Sequence, residues 1–225
     1  MKESLPQDEN PHDVDLQKDV EMLLESVDTG YVREVDATAL RDLCIGNSSR
    51  HGMSAFLNDS VERFVHKHGL AMKEIPKWLP SHSQIPQLPP DHPWRRVAIA
   101  KKETIENALK EILDSIKVSE ITESMRRLYQ QIKDLPVVEA IEFLDQYPRL
   151  PDGNMEVPEV AAIEGLVFGY KPCDIEYYLR TRYLGIPEHA YEDEVNEKVE
   201  YVMCEECAKK WLLEKEKSED KGVLT

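Results

Sequence analysis

The 225-residue sequence predicts an all-α or nearly all-α fold: a multi-helix, bundle-like globular domain with a proline-rich strap in the middle. Three observations carry this expectation. Apolar residues recur at three- and four-residue intervals over most of the chain, which is the period of a helix with one buried face. Glycine is scarce, with nine in the chain, and clean apolar/polar alternation of the strand type is almost absent. Six of the fourteen prolines fall between residues 76 and 93, where a fixed φ and a missing backbone donor exclude helix and central strand alike.

The elements follow in order. Residues 1–12 are polar, with Pro6 and Pro11, and read as a disordered acidic tail. An N-terminal helical part is expected over 13–75. Its first helix carries Val14, Leu16, Val20, Leu23, Leu24 and Val27 and ends near Gly30. A second, capped by Asp36 or Thr38, runs through Leu40, Leu43 and Cys44 to Gly46. Met53, Phe56, Leu57, Val61, Phe64 and Val65 predict a third over 53–68, closed by Gly69.

Residues 76–94 form the linker or strap. Trp78 and Trp94 near its ends favour a strap laid on the body, since a free linker would leave both indoles in water. A C-terminal helical part is expected over 95–217. Its stripes are Ile99, Ile105, Leu109, Ile112, Leu113 and Ile116, then Ile121, Met125, Leu128, Tyr129 and Ile132. Pro136 opens a helix through Val137, Val138, Ile141 and Leu144. A loop at Pro148, Pro151 and Gly153 precedes helices over 158–169, 173–184 and 191–217, and residues 218–225 read as a tail.

Net charge is −16 and is unevenly placed: −8 over residues 1–37, +3 over 38–118 and −11 over 119–225. An acidic body repels phosphate backbones, so nucleic acid is disfavoured as a partner and a basic protein surface fits better. No apolar run approaches the roughly 18 residues of a membrane span, and the first residues lack the apolar core of a secretory signal. A cytoplasmic protein is therefore expected, with its oligomeric state left open. In a reducing compartment, Cys44, Cys173, Cys204 and Cys207 are free thiols or metal ligands rather than a disulfide framework.

The metal reading rests on spacing. Cys204-Glu205-Glu206-Cys207 is one CxxC pair, and Cys173 and His189 lie upstream, giving C-x15-H-x14-C-x2-C. Four nitrogen and sulfur ligands suit tetrahedral zinc, the candidate cofactor.

A second constellation is Ala161 to Arg180. Gly165 supplies a small residue on a first helix, Gly169 a turn glycine, and Ile175 and Tyr178 the buried face of a second helix. This spacing resembles a helix-turn-helix. The resemblance implies a DNA-binding segment over 161–184, with Tyr170, Lys171, Arg180 and Arg182 as contacts; Asp174 and Glu176 at the start of the second helix are the wrong charge for it.

A third constellation is acidic. Glu139, Glu142 and Asp145 share one helix face at i,i+3 spacing, which resembles the way all-α nucleotide pyrophosphatases hold magnesium. The histidines carry less: His66 and His68 point apart on a helix, and His51 follows Ser48 and Ser49 with no nucleophile elbow.

The function expected from the sequence is that of a non-enzymatic acidic helical interaction protein, a regulator, inhibitor or adaptor that binds a protein partner. A DNA-binding regulator acting through 161–184 and a metal-dependent helical hydrolase are the alternatives.

Overall fold

The computed structural model describes residues 34–45, 48–57, 59–75, 95–150, 155–191, 195 and 202–219. The tail expected over 1–12, the helix over 13–30 and the strap over 76–94 lie outside these residues, as does the C-terminal tail beyond residue 219.

The fold is mixed α/β, which corrects the all-α expectation. Among the described residues, eight helices accompany a three-stranded antiparallel sheet, with 58% of those residues helical and 12% in strands. The chain divides into two compact units. One comprises Met1–Glu103 with Leu135–Gln146, the other Thr104–Asp134 with Tyr147–Thr225.

The first unit contains α1 (Glu34–Ile45), β1 (Gly52–Leu57), α2 (Asp59–Lys67), β2 (Ala71–Glu74), β3 (Arg95–Ala100) and, after the chain returns, α5 (Val137–Asp145). Strand order is β1-β3-β2, with Met53 opposite Ile99, Ala55 opposite Val97 and Lys73 opposite Ala98. The pleat sends alternate side chains to opposite faces. Met53, Ala55, Leu57, Val97 and Ile99 therefore share one face, where they pack with Leu40 and Leu43 of α1 and Val61, Phe64 and Val65 of α2.

The expected third helix fails for a specific reason. Met53 and Leu57 are four residues apart, a spacing that repeats both a strand's period of two and, closely, a helix's 3.6. The stripe over 53–68 thus fused the inward face of β1 with the inward face of α2. The expected C-terminal helical part, whose first stripe runs from Ile99 to Ile116, likewise begins as β3. Val97-Ala98-Ile99-Ala100 is buried on both faces at the centre of the sheet, so it shows no alternation.

The other sheet face is polar at the rim and is met by α5. Arg96 of β3 pairs with Asp145 at 2.6 Å and donates to Ser54 Oγ of β1 at 3.3 Å. Lys73 of β2 pairs with Glu142 at 2.6 Å, and that hydrogen bond holds its ammonium above the usual lysine range. Ala98 and Ala100 are fully buried, and small side chains there let the helix approach the sheet.

The elements of the second unit among its described residues are helices and one 3-10 turn: α3 (Ile105–Leu109), the 3-10 turn (Leu113–Ser115), α4 (Ser119–Ile132), α6 (Pro158–Val167), α7 (Pro172–Leu184) and α8 (Glu205–Glu219). Ile121, Met125, Leu128, Tyr129 and Ile132 of α4 form its buried stripe, and α4 packs on α6, which packs on α7. Pro158 and Pro172 stand in the first turns of α6 and α7, where a missing N–H costs nothing.

The α6–α7 turn is a Schellman motif. The Tyr170 N–H donates to the Gly165 carbonyl and the Gly169 N–H to that of Leu166, with Gly169 at φ 78°. A Cβ on Gly165 would stand 2.9 Å from Ile175 Cγ1, so the absence of a side chain sets how closely α7 crosses α6.

Asp145 is 5% exposed, and its Oδ2 has no hydrogen-bond partner, so its charge depends on Arg96. Arg96→Met is expected to cost roughly 2–4 kcal/mol, at the lower end because a third of the Arg96 side chain meets solvent. Replacing both partners, as Arg96→Met with Asp145→Leu, should recover most of that loss. Urea denaturation of the three proteins measures this, and an unshifted midpoint for the single variant would contradict it.

Candidate metal centre

Two helix starts build the site. Lys171 is the N-cap of α7, so Pro172, Cys173 and Asp174 form its first turn. The Ala208 N–H donates to the Cys204 carbonyl at 2.9 Å, which places Cys204 at the cap of α8 and Cys207 three residues into it. A cap residue and the residue three positions on face each other across the first turn, so the CxxC spacing turns both thiols to one side.

The side chains of Cys173, Asp174, Cys204 and Cys207 converge, each offering a ligand atom within 4.8 Å of the others. The Cys173 and Cys207 sulfurs are 3.7 Å apart. A tetrahedral zinc with bonds of about 2.3 Å to sulfur sets its ligand sulfurs about 3.7–3.8 Å apart, so this separation fits. Asp174 is 2% exposed. Its Oδ1 accepts the Cys204 N–H at 2.8 Å and the Cys173 thiol at 3.7 Å, while its Oδ2 is buried with no protein partner. A buried carboxylate oxygen without a donor is costly, and a cation among the three sulfurs would satisfy it.

The local field favours anionic ligands. The amino ends of α7 and α8 both point into the site, and Lys171 Nζ donates to Cys207 Sγ at 3.7 Å. Burial works the other way on the thiols themselves. It pushes Cys204 up to about 11 and raises Cys173 and Cys207 above the usual thiol value. The metal-free site therefore holds thiols, and a metal must displace their protons.

His189, expected as the fourth ligand, is engaged elsewhere. Its Nε2 lies 2.8 Å from the Met203 carbonyl, which assigns the ring proton there, and its Nδ1 accepts the Tyr191 N–H at 3.2 Å. The ring stacks on Tyr177 at 4.8 Å, and the His189 N–H donates to the Tyr177 hydroxyl. His189 thus bonds the backbone at Met203 and Tyr191, and Asp174 is the fourth group of the cluster that could hold a metal. The order Lys171-Pro172-Cys173-Asp174 carried a signal for this, because a proline that opens a helix puts the next two side chains in the same first turn. The fourth cysteine, Cys44, belongs to the first unit, packs against the core between α1, α2 and the sheet, and is pushed up to about 12 by burial.

The remaining candidates are placed as follows. Glu142 is paired with Lys73 and Asp145 with Arg96, while Glu139 is exposed, so the three carboxylates do not converge on a common cation. On the helix-turn-helix-like segment Tyr170 is exposed. Lys171 donates to Cys207, Arg180 to the Lys117 carbonyl at 3.5 Å, and Arg182 pairs with Glu188 at 2.7 Å. The first turn of α7, which would enter a DNA groove, faces the cysteine cluster, with Asp174 buried in it. His51 Nδ1 lies 3.1 Å from Glu103 Oε1, and Ser48 Oγ accepts the Arg50 N–H.

No helix among the described residues is long and apolar enough to cross a membrane. In comparisons with known proteins, no family model, curated protein or solved structure matches this chain.

Two pH effects follow from the raised thiols. Zinc binding at pH 7 should release about three protons, one per cysteine, measurable by calorimetry in buffers of differing ionisation enthalpy. A thiol raised in the fold stabilises it fully below its ordinary value and loses that contribution as pH climbs through the raised one. For Cys204 the window is 9.0 to about 11, so metal-free protein should lose stability there and zinc-loaded protein should not. Proton-neutral binding, or identical pH profiles for the two forms, would contradict the thiol assignment.

Proposed function

We propose that the protein is a non-enzymatic interaction protein whose C-terminal helical region is stapled by a structural zinc centre formed by Cys173, Asp174, Cys204 and Cys207. One observation carries the reading: Asp174 is buried beside three convergent cysteines, and its Oδ2 has no protein partner. Four protein ligands close a tetrahedral site and leave no position for a reactive water, which suits a structural centre rather than a catalytic one.

The packing around α8 supports that role. Its hydrophobic cluster among the described residues has three buried members, Val195, Met203 and Ala208, with Tyr191, Cys207, Trp211 and Leu212 packed partly against them. Each fully buried aliphatic side chain contributes about 1.5–3 kcal/mol, so a cluster this small gains much from a metal staple. The ion pairing of Glu142 and Asp145 weighs against the hydrolase reading. The engaged cations and covered first turn of α7 weigh against DNA readout. The net charge of −16 favours a partner with a basic surface.

Elemental analysis of the purified full chain tests the centre, with about one zinc per chain expected. Asp174→Asn and Cys204→Ser should each lower zinc content, while His189→Ala should leave it unchanged. Zinc that survives Asp174→Asn but is lost in His189→Ala would assign the fourth ligand to the histidine. A screen for magnesium-dependent nucleotide hydrolysis should find none, and turnover abolished by Glu142→Gln would replace the interaction reading with an enzymatic one.

A further inference from the structure

We propose that Cys173 and Cys207 form a hydroperoxide-reactive site, in which a two-electron oxidant of the peroxide class joins their sulfurs and dismantles the zinc centre. The inference rests on the zinc reading above and adds to it the identity of the reacting pair and of the reagent class.

Geometry selects the pair. The two sulfurs are 3.7 Å apart and come from different helices. Cys173 is exposed, so small solutes reach the site from its side; Cys204 and Cys207 are each partly covered, and the backbone N–H of Cys204 is held by Asp174 at 2.8 Å. Lys171 Nζ lies 3.7 Å from Cys207 Sγ and places positive charge where an oxygen anion leaves. The other helix-borne thiol, Cys44, is a single cysteine in the core of the first unit and has no such partner in the cluster.

The chemistry balances with one peroxide. The Cys207 thiolate attacks one peroxide oxygen, the O–O bond breaks, and hydroxide leaves and takes a proton to become water. Cys207 is then a sulfenic acid. The Cys173 thiolate attacks the Cys207 sulfur, the S–O bond breaks, and a second hydroxide leaves and is protonated to water. Each sulfur gives up one electron and the peroxide gains two. The donor set keeps only Cys204 and Asp174, too few to hold zinc in a closed tetrahedral site. The new bond still ties α7 to α8, so oxidation exchanges a metal staple for a covalent one, and thiol reductants reverse it.

Hydrogen peroxide added to the full-length zinc-loaded protein tests this, with zinc release followed by a chromogenic chelator and linkages mapped by non-reducing mass spectrometry. Cleavage after Glu205 and Glu206 separates Cys204 from Cys207, so every pairing among the three cysteines is distinguishable. The expected result is a Cys173–Cys207 link formed in step with zinc release, both reversed by dithiothreitol and added zinc, and loss of that link in Cys173→Ser. A Cys204–Cys207 loop, a Cys173–Cys204 link, or stepwise over-oxidation without any link overturns the proposal while leaving the zinc reading standing. The same mapping on metal-free protein separates the two claims. A Cys173–Cys207 link in protein that takes up no zinc when supplied with it supports the peroxide-reactive pair, while the missing uptake overturns the zinc centre.

Discussion

The Asp174 carboxylate is where the second unit's two functional helices meet. One oxygen accepts the backbone N–H at the cap of α8, the other is buried without a protein partner, and three cysteines converge beside the carboxylate. A buried carboxylate survives only if its charge is answered by donors or a cation. Two helix amino ends and the Lys171 ammonium supply part of that answer, and a divalent ion bound to the cluster would supply the rest. The positions of α8, of the His189 segment and of the three thiols all follow from how this single charge is satisfied.

The same constraint recurs in the first unit with a different solution. Asp145 is as buried as Asp174, but its partner is the Arg96 guanidinium at 2.6 Å rather than a cluster of soft ligands. That pairing fixes how α5 meets the strand edge, and with Lys73 and Glu142 it gives the sheet a polar rim on one side and an apolar face on the other. Two buried aspartates in one chain thus mark two kinds of joint. In both, one carboxylate oxygen has no protein partner; one charge is answered by a guanidinium, and the other lies beside three thiols.

Much of the second unit was legible in the sequence, because its helices are amphipathic in the ordinary way. The stripe Ile121, Met125, Leu128, Tyr129, Ile132 and the residues Gly165, Gly169 and Ile175 act as their spacing implied, the glycines through close approach and positive φ. The strands were not legible, for two distinct reasons. In β1 the Met53–Leu57 spacing satisfies helix and strand alike, and β3 is buried on both faces and shows no period at all. Three of the four residues in the candidate metal cluster could be read from cysteine spacing. Asp174 could not, since its position in the first turn beside Cys173 matters only once α8 brings Cys204 and Cys207 to it. His189 was a reasonable fourth ligand by sequence interval, but both its ring nitrogens serve the backbone.

The zinc reading of the second unit therefore stands or falls with what closes this joint. X-ray absorption at the zinc edge of the loaded full-length protein tests it most directly. The account predicts three sulfurs at about 2.3 Å and one oxygen at about 2.0–2.2 Å, with no imidazole outer-shell scattering. An imidazole signature with three sulfurs, or a six-coordinate shell of oxygen atoms, would contradict it.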